Sequence, residues 1–360
     1  MLYPELDTPC IIVDLDQAER NIRRMQAIAD QAGVKLRPHI KTHKSPFFAQ
    51  MQVAAGARGI TCAKLGEAEV MADAGFTDIL IAYPLIGPAK LERLTTLAAR
   101  VERLVLTLDS YEVAEALSSV GERLGRPLDV YLEVDTGQHR VGRQPGADAI
   151  NFARGLDRFS GIRLAGVMSH AGPAWKAGSE AEALTFTQSE ASALNEIKAA
   201  LGRPDLEVSV GATPTAHLVG ETAGITEMRP GTYVFYDRNS LTLGLVREEE
   251  CALRVLSTVV SHAAPDRAVV DAGSKSLAMD PSRDGGHGHV VGRPEIAVAK
   301  LTEEHGQLEF PAGAPIAVGQ RLQIVPNHVC PAVNLFDRAY GVRDGQVVCE
   351  IPIAARGKNT

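Results

Sequence analysis

The sequence of 360 residues predicts an α/β fold, a (β/α)8 TIM-type barrel followed by a C-terminal, mainly β domain. Two observations lead to this prediction. Up to about residue 245, short apolar runs alternate with segments that carry apolar residues at helical spacing, which is typical of parallel βαβ units. Beyond that point, short β-type runs are separated by Gly, Pro and Asp, which is typical of a separate, mainly β domain.

A closed barrel of this type needs eight strands, and the first part of the sequence contains eight candidates. They are residues 34–40, 59–62, 78–82, 103–108, 129–134, 163–169, 206–210 and a last strand between 225 and 235. Helical spacing predicts helices at 16–32, 64–74, 88–100 and 180–201. The strand candidates of the second part are 253–261, 268–272, 295–301, 322–325 and 347–353. We therefore expect a barrel at residues 11–245 and a β-rich domain formed by residues 246–360 with residues 1–10.

The composition favours small molecules as partners. The net charge is −7 and no block of Lys and Arg occurs, which argues against nucleic acid as a partner. No apolar stretch approaches the roughly 18 residues needed to cross a bilayer, so no membrane segment is expected. The five cysteines are scattered without a CxxC pair, as in a reducing compartment. These features predict a cytoplasmic protein.

The first strand candidate carries basic side chains at alternate positions. Lys35, Arg37, His39 and Lys41 share one parity, and in a strand one parity is one face. Because barrel interiors are normally filled with branched apolar side chains, basic groups that point inward at the carboxyl end of a strand indicate a functional site. The alternative is a solvated basic edge strand.

This segment also carries a specific motif. The sequence RPHIKTHK at 37–44, preceded by TPCIIVD at 8–14, resembles the D-threonine aldolase and D-serine dehydratase family of alanine-racemase-type, fold type III enzymes that use pyridoxal 5′-phosphate (PLP). In that family the first lysine of the motif binds the cofactor covalently, which implies that Lys41 is the cofactor-binding and catalytic lysine. The resemblance also implies a small D-amino acid substrate and a homodimer.

Two further residues are candidates at strand ends. The sequence EVDTGQHRVG at 133–142 is similar to a family segment that places an arginine near the pyridoxal ring, which makes Arg140 a candidate catalytic and cofactor-binding residue. A structural salt bridge is the alternative for Arg140. His170 ends another strand candidate, and either stacking on the cofactor ring or a structural hydrogen bond would explain it.

Two loops are candidates for phosphate binding. The small-residue loop 210–215 contains Thr213 and opens a helix, where free N–H groups and hydroxyls can hold a phosphate, although such loops also serve as plain helix caps. The sequence RPGTY at 229–233, with Gly231, Thr232 and Tyr233, is similar to a second phosphate loop of the family. Barrels commonly bind phosphate after strands seven and eight, which agrees with both positions.

A second site is predicted near the C-terminus. His328 and Cys330 lie two residues apart in what reads as an apolar β run, so that both side chains would project to one face and could chelate one ion. The alternative is a buried histidine beside a small hydrophobic cysteine. The resemblance implies a divalent metal here, held by a His-x-Asp pair in the aldolases and a His-x-Cys pair in the dehydratases. A thiolate favours zinc and a carboxylate favours manganese or magnesium, so any of the three is a candidate.

Three more histidines lie in loops. His287 and His289 belong to a glycine-rich stretch, and His305 follows two glutamates. They could line the mouth of the site or have no catalytic role.

The resemblance implies a PLP- and metal-dependent lyase that acts on D-3-hydroxy amino acids. The sequence PAVN after Cys330 looks more like the aldolases, so retro-aldol cleavage to glycine and an aldehyde is the first prediction. The alternative is a D-serine or D-3-hydroxyaspartate dehydratase that releases a 2-oxo acid and ammonia. An amino-acid racemase and a noncatalytic PLP-binding protein are further alternatives.

Overall fold

The computed structural model describes residues 2–170 and 172–360 and divides the chain into two compact units. We call the first the barrel unit; it contains Arg24–Lys41, Ala49–Gly231 and Lys358–Thr360. The second, the β unit, contains the residues up to Arg23 together with Thr42–Phe48 and Thr232–Gly357. This division differs from the predicted boundary near residue 245. Residues 11–23, 42–48 and 232–245 belong to the β unit, and residues 358–360 belong to the barrel unit.

The barrel unit holds eight parallel strands, which follow β1 (Cys10–Asp14) of the other unit in the chain. They are β2 (Lys35–Leu36), β3 (Ile60–Cys62), β4 (Asp78–Ile81), β5 (Arg103–Leu108), β6 (Leu128–Glu133), β7 (Ile162–Met168), β8 (Glu207–Val210) and β9 (Glu227–Met228), in the order β2-β9-β8-β7-β6-β5-β4-β3. A parallel bridge between His39 and Thr61 joins the two ends, and the Thr61 N–H donates to the Pro38 carbonyl at 2.8 Å. The sheet therefore closes, and the predicted (β/α)8 barrel is confirmed.

The helices follow the predicted order with small shifts at their ends. They are α1 (Leu15–Ala32), α2 (Pro46–Ala54), α3 (Leu65–Asp73), α4 (Pro88–Ala98), α5 (Tyr111–Leu124), α6 (Ala147–Gly155), α7 (Glu180–Ala200), α8 (Arg238–Thr242), α9 (Ser274–Leu277) and α10 (Val329–Val333). Local chemistry sets their limits. For example, the Ser110 hydroxyl accepts from the Val113 N–H at the start of α5, and Gly125 ends it with a φ of 67°.

The β unit is built on a nine-stranded sheet that includes β1. Its other strands are β10 (Leu253–Ala264), β11 (Arg267–Val270), β12 (Gly288–Val290), β13 (Ala297–Leu301), β14 (Gly306–Glu309), β15 (Arg321–Pro326), β16 (Arg338–Arg343) and β17 (Gln346–Pro352). The strand order is β11-β14-β13-β12-β15-β10-β1-β16-β17. The predicted β domain is confirmed, and β12, β14 and β16 are short strands that the sequence did not indicate.

The segment that carries Lys41 differs from its predicted form. The expected strand 34–40 is regular only at Lys35–Leu36, and Lys41 lies in a 3-10 turn at Ile40–Thr42. The inference that strand parity aims Lys41 inward is therefore wrong. Pro38 explains the difference, because it has no N–H to donate to a strand ladder.

The segment of His328 and Cys330 also differs. β15 ends at Pro326, His328 is the N-cap residue of α10, and Cys330 lies in the first turn of that helix. The expectation that a β run places both side chains on one face is therefore wrong. The Asp237 carboxylate accepts from the Val329 N–H at 3.3 Å and so satisfies one of the free donors with which a helix begins.

Among the helices of the described residues, none combines the length and the apolar character that a membrane crossing requires.

Candidate active site

The barrel interior is held by a buried ion-pair network. Arg37 is fully buried, and its Nε and Nη1 atoms donate to Glu227 Oε2 at 2.7 Å and to Asp78 Oδ1 at 2.6 Å. Burial alone would lower the pKa of Arg37, but these two carboxylates raise it, so the guanidinium stays charged. The alternative of a solvated basic edge strand is therefore excluded, and Arg37 is structural.

Five side chains gather where the barrel strands end, and we call them the barrel-mouth cluster: Lys41, His39, His170, Arg140 and Arg229. Burial of the His170 ring, followed by the charges of Lys41 and Arg140, lowers its pKa to about 3. Burial and the charge of Lys41 also lower the pKa of His39 well below its usual value. Both rings are therefore neutral near pH 7, and the cluster carries an excess of positive charge.

Arg140 lies in an exposed turn after β6. Its Nη2 atom is 3.9 Å from Glu133 Oε1, and its side chain is 52% exposed. A pair with this distance and exposure contributes little to stability, so the salt-bridge alternative does not account for Arg140. The other Glu133 oxygen is buried without a hydrogen-bond partner, and burial raises the pKa of this carboxyl.

Arg229 lies at the same end of the barrel and is held by hydrogen bonds to neighbouring strands. Its guanidinium donates to the Ser209 hydroxyl and to the Ser169 carbonyl. Glu190 of α7 is buried nearby, and its carboxyl lies close to the Ser169 hydroxyl. Burial raises the pKa of Glu190 to about 7 against the charge of Arg229 and the Ser169 hydroxyl. Sequence analysis missed Glu190 because nothing distinguishes it from any glutamate of a helix.

The two predicted phosphate loops start side by side. The Arg229 N–H donates to the Val210 carbonyl at 2.9 Å, and a Cβ atom at Gly211 would lie 2.7 Å from the Arg229 nitrogen. Gly211, with a φ of 137°, therefore permits this close approach. Thr213 is buried and begins a 3-10 helix, Thr213–Glu221.

Thr232 and Tyr233 follow Gly231 in a 3-10 turn, Thr232–Val234. Tyr233 is fully buried, and the Thr232 hydroxyl oxygen is buried without a hydrogen-bond partner. A buried hydroxyl of this kind is costly unless it is satisfied, and a phosphate oxygen would satisfy it. The lysine and the positive charge of the barrel-mouth cluster fit an anionic aldehyde cofactor such as PLP.

The β unit contains a second cluster, the imidazole–thiol cluster, formed by His328, Cys330, Thr42, Asp280 and Asp237. Thr42 Oγ1 lies 3.2 Å from Cys330 Sγ, and His328 Nδ1 lies 3.1 Å from Asp280 Oδ1. The His328 ring also forms a hydrogen bond with the Cys330 thiol, so the structure brings these two residues together at a helix N-terminus. Thr42, Asp280 and Asp237 were missed because they are distant in sequence.

The imidazole–thiol cluster favours a positive charge on the ring of His328. Burial would lower the pKa of His328, but the charge of Cys330 and the hydrogen bond with Asp280 outweigh it and raise this pKa. A site that stabilises a cation between imidazole, thiol and carboxylates fits a soft divalent metal. Within residues 2–170 and 172–360, no group of three or more His, Cys, Asp or Glu side chains could hold a metal ion, so the fit rests on two ligands.

The three loop histidines have separate surroundings. The ring of His289 pairs with Glu248, and His305 Nδ1 lies 3.3 Å from the Thr302 hydroxyl. The Nδ1 atom of His287 is buried without a partner, and burial followed by the charge of Arg238 lowers the pKa of His287.

Comparison with known proteins agrees with both units. The description "Alanine racemase, N-terminal domain" matches residues 13–239, and "Putative serine dehydratase domain" matches residues 252–342. A D-threo-3-hydroxyaspartate dehydratase of Delftia sp. (strain HT23) is 39% identical over 349 residues, covering 90% of this chain and 91% of the relative. A D-threonine aldolase of Arthrobacter sp. is 35% identical over 364 residues, covering 98% and 93%.

Solved structures give the same result. The D-threonine aldolase of Filomicrobium marinum superimposes with a TM-score of 0.92 at 32% identity, covering 100% of this chain and 99% of the other. Two further solved structures are of D-threo-3-hydroxyaspartate dehydratase with a histidine or a cysteine replaced by alanine, the cysteine variant in its metal-free form. The chain therefore belongs to the D-threonine aldolase and D-serine dehydratase family with an alanine racemase N-terminal domain, and it is a PLP-dependent lyase.

Proposed function

We propose that this lyase acts on D-3-hydroxy amino acids, with Lys41 as the cofactor lysine and with a divalent metal held by His328 and Cys330. One observation carries the proposal: Thr42 directly follows Lys41 in the chain, and its hydroxyl lies 3.2 Å from the Cys330 thiol. A single turn thus carries both the lysine and a contact to the proposed metal ligand.

The residues have separate tasks in this proposal. Gly231, Thr232, Tyr233 and Thr213 would hold the phosphate of PLP, and His170 and Arg140 would contact its ring. PLP supplies a sink for the electrons released at the substrate Cα atom. His328 and Cys330 would hold a metal that lowers the pKa of a substrate hydroxyl, with water and substrate as its other ligands.

Dehydration is the outcome that we favour. The amine of Lys41 would take the proton from Cα, and hydroxide would leave Cβ. The resulting enamine would tautomerise to an imine, which water would hydrolyse to a 2-oxo acid and ammonia. Two observations support this outcome. The proposed metal ligand is a cysteine, and the Delftia relative at 39% identity is a D-threo-3-hydroxyaspartate dehydratase.

Retro-aldol cleavage, the first prediction from the sequence, is the second candidate. Here a base takes the proton of the substrate hydroxyl, the Cα–Cβ bond breaks, and glycine and an aldehyde are released. The aldolase-like PAVN sequence after Cys330 and the similarity to two D-threonine aldolases favour it. A homodimer stays a prediction for both candidates.

Product analysis tests the assignment. The purified enzyme with PLP is incubated with D-threonine, D-serine and D-threo-3-hydroxyaspartate, with and without EDTA. We expect ammonia and a 2-oxo acid, no glycine, and loss of turnover with EDTA. Glycine with an aldehyde would establish the second candidate instead. Chelator-resistant inversion of D-alanine without cleavage would contradict both and support a racemase.

A further inference from the structure

The imidazole–thiol cluster depends on a turn that the sequence did not single out. α9 ends at Leu277, and the chain then passes through Ala278 and Met279 to Asp280. Asp280 Oδ1 lies 3.1 Å from His328 Nδ1, and the carboxyl accepts no other side-chain hydrogen bond within the described part of the chain. Asp280 is therefore available to act on His328 alone.

The backbone of this turn is strained. Ala278 has a φ of 63° and a ψ of −179°, a combination that is essentially restricted to glycine. Strain of this kind persists only where the surroundings impose it. The Ala278 N–H donates to the Ser274 carbonyl at 3.0 Å, so the start of the turn is fixed by α9.

The other end of the turn is fixed by Asn327. This buried residue donates from Nδ2 to the Asp280 carbonyl at 2.8 Å and to the Gly286 carbonyl at 2.9 Å. Its Oδ1 accepts from Arg238 at 3.2 Å, so all polar groups of the side chain are used. Since Asn327 immediately precedes His328, one segment holds the backbone of Asp280 and carries the imidazole that the Asp280 carboxylate contacts.

We propose that Asp280 is a positioning residue that fixes the orientation and tautomer of His328 for metal binding. A hydrogen bond with a carboxylate keeps the proton on Nδ1, so Nε2 is the nitrogen that gives up its proton and offers its lone pair to a metal. Partners of this kind are general for metal-binding histidines, and their loss typically costs 10–100-fold in metal affinity. The inference rests on the proposed metal site.

The test measures metal affinity in the PLP-loaded protein by competition between Zn²⁺ and a chromogenic chelator. We expect Asp280→Ala to weaken Zn²⁺ binding about 10–100-fold and Asp280→Asn, which keeps an acceptor oxygen, to weaken it less. Met279→Ala is the matched control, because Met279 lies in the same turn and is 58% exposed. It should bind Zn²⁺ like the unmodified protein.

Asn327→Leu is a second variant. It removes the hydrogen bond to the Asp280 carbonyl but keeps the Asp280 side chain, and it should also weaken Zn²⁺ binding. For every variant, circular dichroism and thermal unfolding verify the fold. Co²⁺ absorption provides a readout apart from activity, because a misoriented imidazole changes the ligand-field bands even at saturating metal.

The possible results separate the inference from the proposed function. If Cys330→Ala binds Zn²⁺ as well as the unmodified protein, the metal site itself is wrong. If Cys330→Ala loses Zn²⁺ while folded Asp280→Ala binds it normally with unchanged Co²⁺ bands, the positioning role is wrong. A loss of Zn²⁺ affinity in Asp280→Ala that exceeds the loss in Cys330→Ala would make Asp280 a ligand and overturn the inference as well.

Discussion

The barrel-mouth cluster and the imidazole–thiol cluster have opposite electrostatic environments. The first gathers Lys41, Arg140 and Arg229 around two neutral histidines, while burial raises the pKa of Glu133 and Glu190 nearby. The second surrounds His328 with Cys330 and two aspartates, which raise the pKa of its imidazole against burial. This difference agrees with the proposed roles, an anionic cofactor at the barrel-mouth cluster and a metal cation at the imidazole–thiol cluster.

The two clusters also differ in support. The barrel-mouth residues follow the ends of hydrogen-bonded strands above the buried pair of Arg37 and Glu227. The imidazole–thiol cluster is formed by turns and a helix N-terminus, and hydrogen bonds such as that between His328 and Asp280 hold it. We therefore expect substitutions to affect the two clusters separately.

Replacing Lys41 should have the largest effect and should leave the imidazole–thiol cluster intact. In Lys41→Ala we expect activity to fall at least about 10³-fold, since the residue would be both the cofactor lysine and the base at Cα. Borohydride should no longer fix a pyridoxyl group to the protein, while Zn²⁺ affinity stays unchanged. Absorption spectra, peptide mass spectrometry and metal titration measure these effects.

Lys35→Ala is the control for that substitution, because Lys35 lies six residues earlier and pairs with Glu207. It should keep the cofactor and its colour. A Lys41→Ala protein that still yields a pyridoxylated peptide after reduction would remove Lys41 from the site.

Cys330→Ala tests the opposite cluster. Loss of the thiol should reduce Zn²⁺ affinity and activity by about 10²-fold or more, because a metal would keep one protein ligand, while PLP absorption stays normal. Cys349→Ala is the control, because Cys349 is also a partly exposed cysteine, and it should change neither the Zn²⁺ affinity nor the activity. In Cys330→Asp we expect the metal preference to move towards Mn²⁺, since a carboxylate is a harder ligand. If both Cys330 variants bind Zn²⁺ and Mn²⁺ with the same affinities as the unmodified protein, the assignment is contradicted.

The sequence predicted one cluster better than the other for a physical reason. Alternation of strands and helices indicates where parallel strands end, so His170 and the two phosphate loops could be placed at one rim of a barrel. Lys41 was found by its motif, but Pro38 breaks the strand whose parity was used to aim it. Side-chain alternation therefore does not predict orientation beyond a residue that interrupts the hydrogen bonding of a strand.

The partners of His328 lie beyond the reach of such patterns. Asp280 precedes it by 48 residues, and Thr42 is 288 residues from Cys330. Tertiary packing alone joins them, as it does Glu190 with Arg229. A spacing of two residues indicated His328 and Cys330, but the β run that was expected to align them is a helix N-terminus.

The contribution of the buried ion pairs of Arg37 can be tested through the free energy of unfolding. Arg37→Met removes a fully buried cation and leaves Glu227 and Asp78 without it, which should cost about 3–5 kcal/mol of unfolding free energy. Urea unfolding at pH 7 measures the loss. Arg163→Met breaks the exposed pair with Asp129 and should cost less than about 1 kcal/mol. Equal costs in both variants would show that the barrel interior does not depend on this pair.

Glu190→Gln should have the smallest effect, and it should be stabilising. The pKa of Glu190 is raised from its ordinary value to about 7 by burial, so between those values the folded protein binds more protons at this group than the unfolded chain. Its contribution to stability is therefore present at low pH and is lost as the pH rises through about 7. Glutamine removes this dependence.

We expect Glu190→Gln to match the unmodified protein near pH 4.5 and to exceed its unfolding free energy by about 2–3 kcal/mol at pH 8. Urea unfolding across this pH range measures the difference, and Glu196→Gln, on the exposed face of the same helix, should show none. A Glu190→Gln protein that is less stable at pH 8 would mean that the ionised carboxylate pairs productively with Arg229. In that case an ion pair between Glu190 and Arg229 would help to order the barrel-mouth cluster. The excess of positive charge in this cluster would then be smaller than the comparison with the imidazole–thiol cluster assumes.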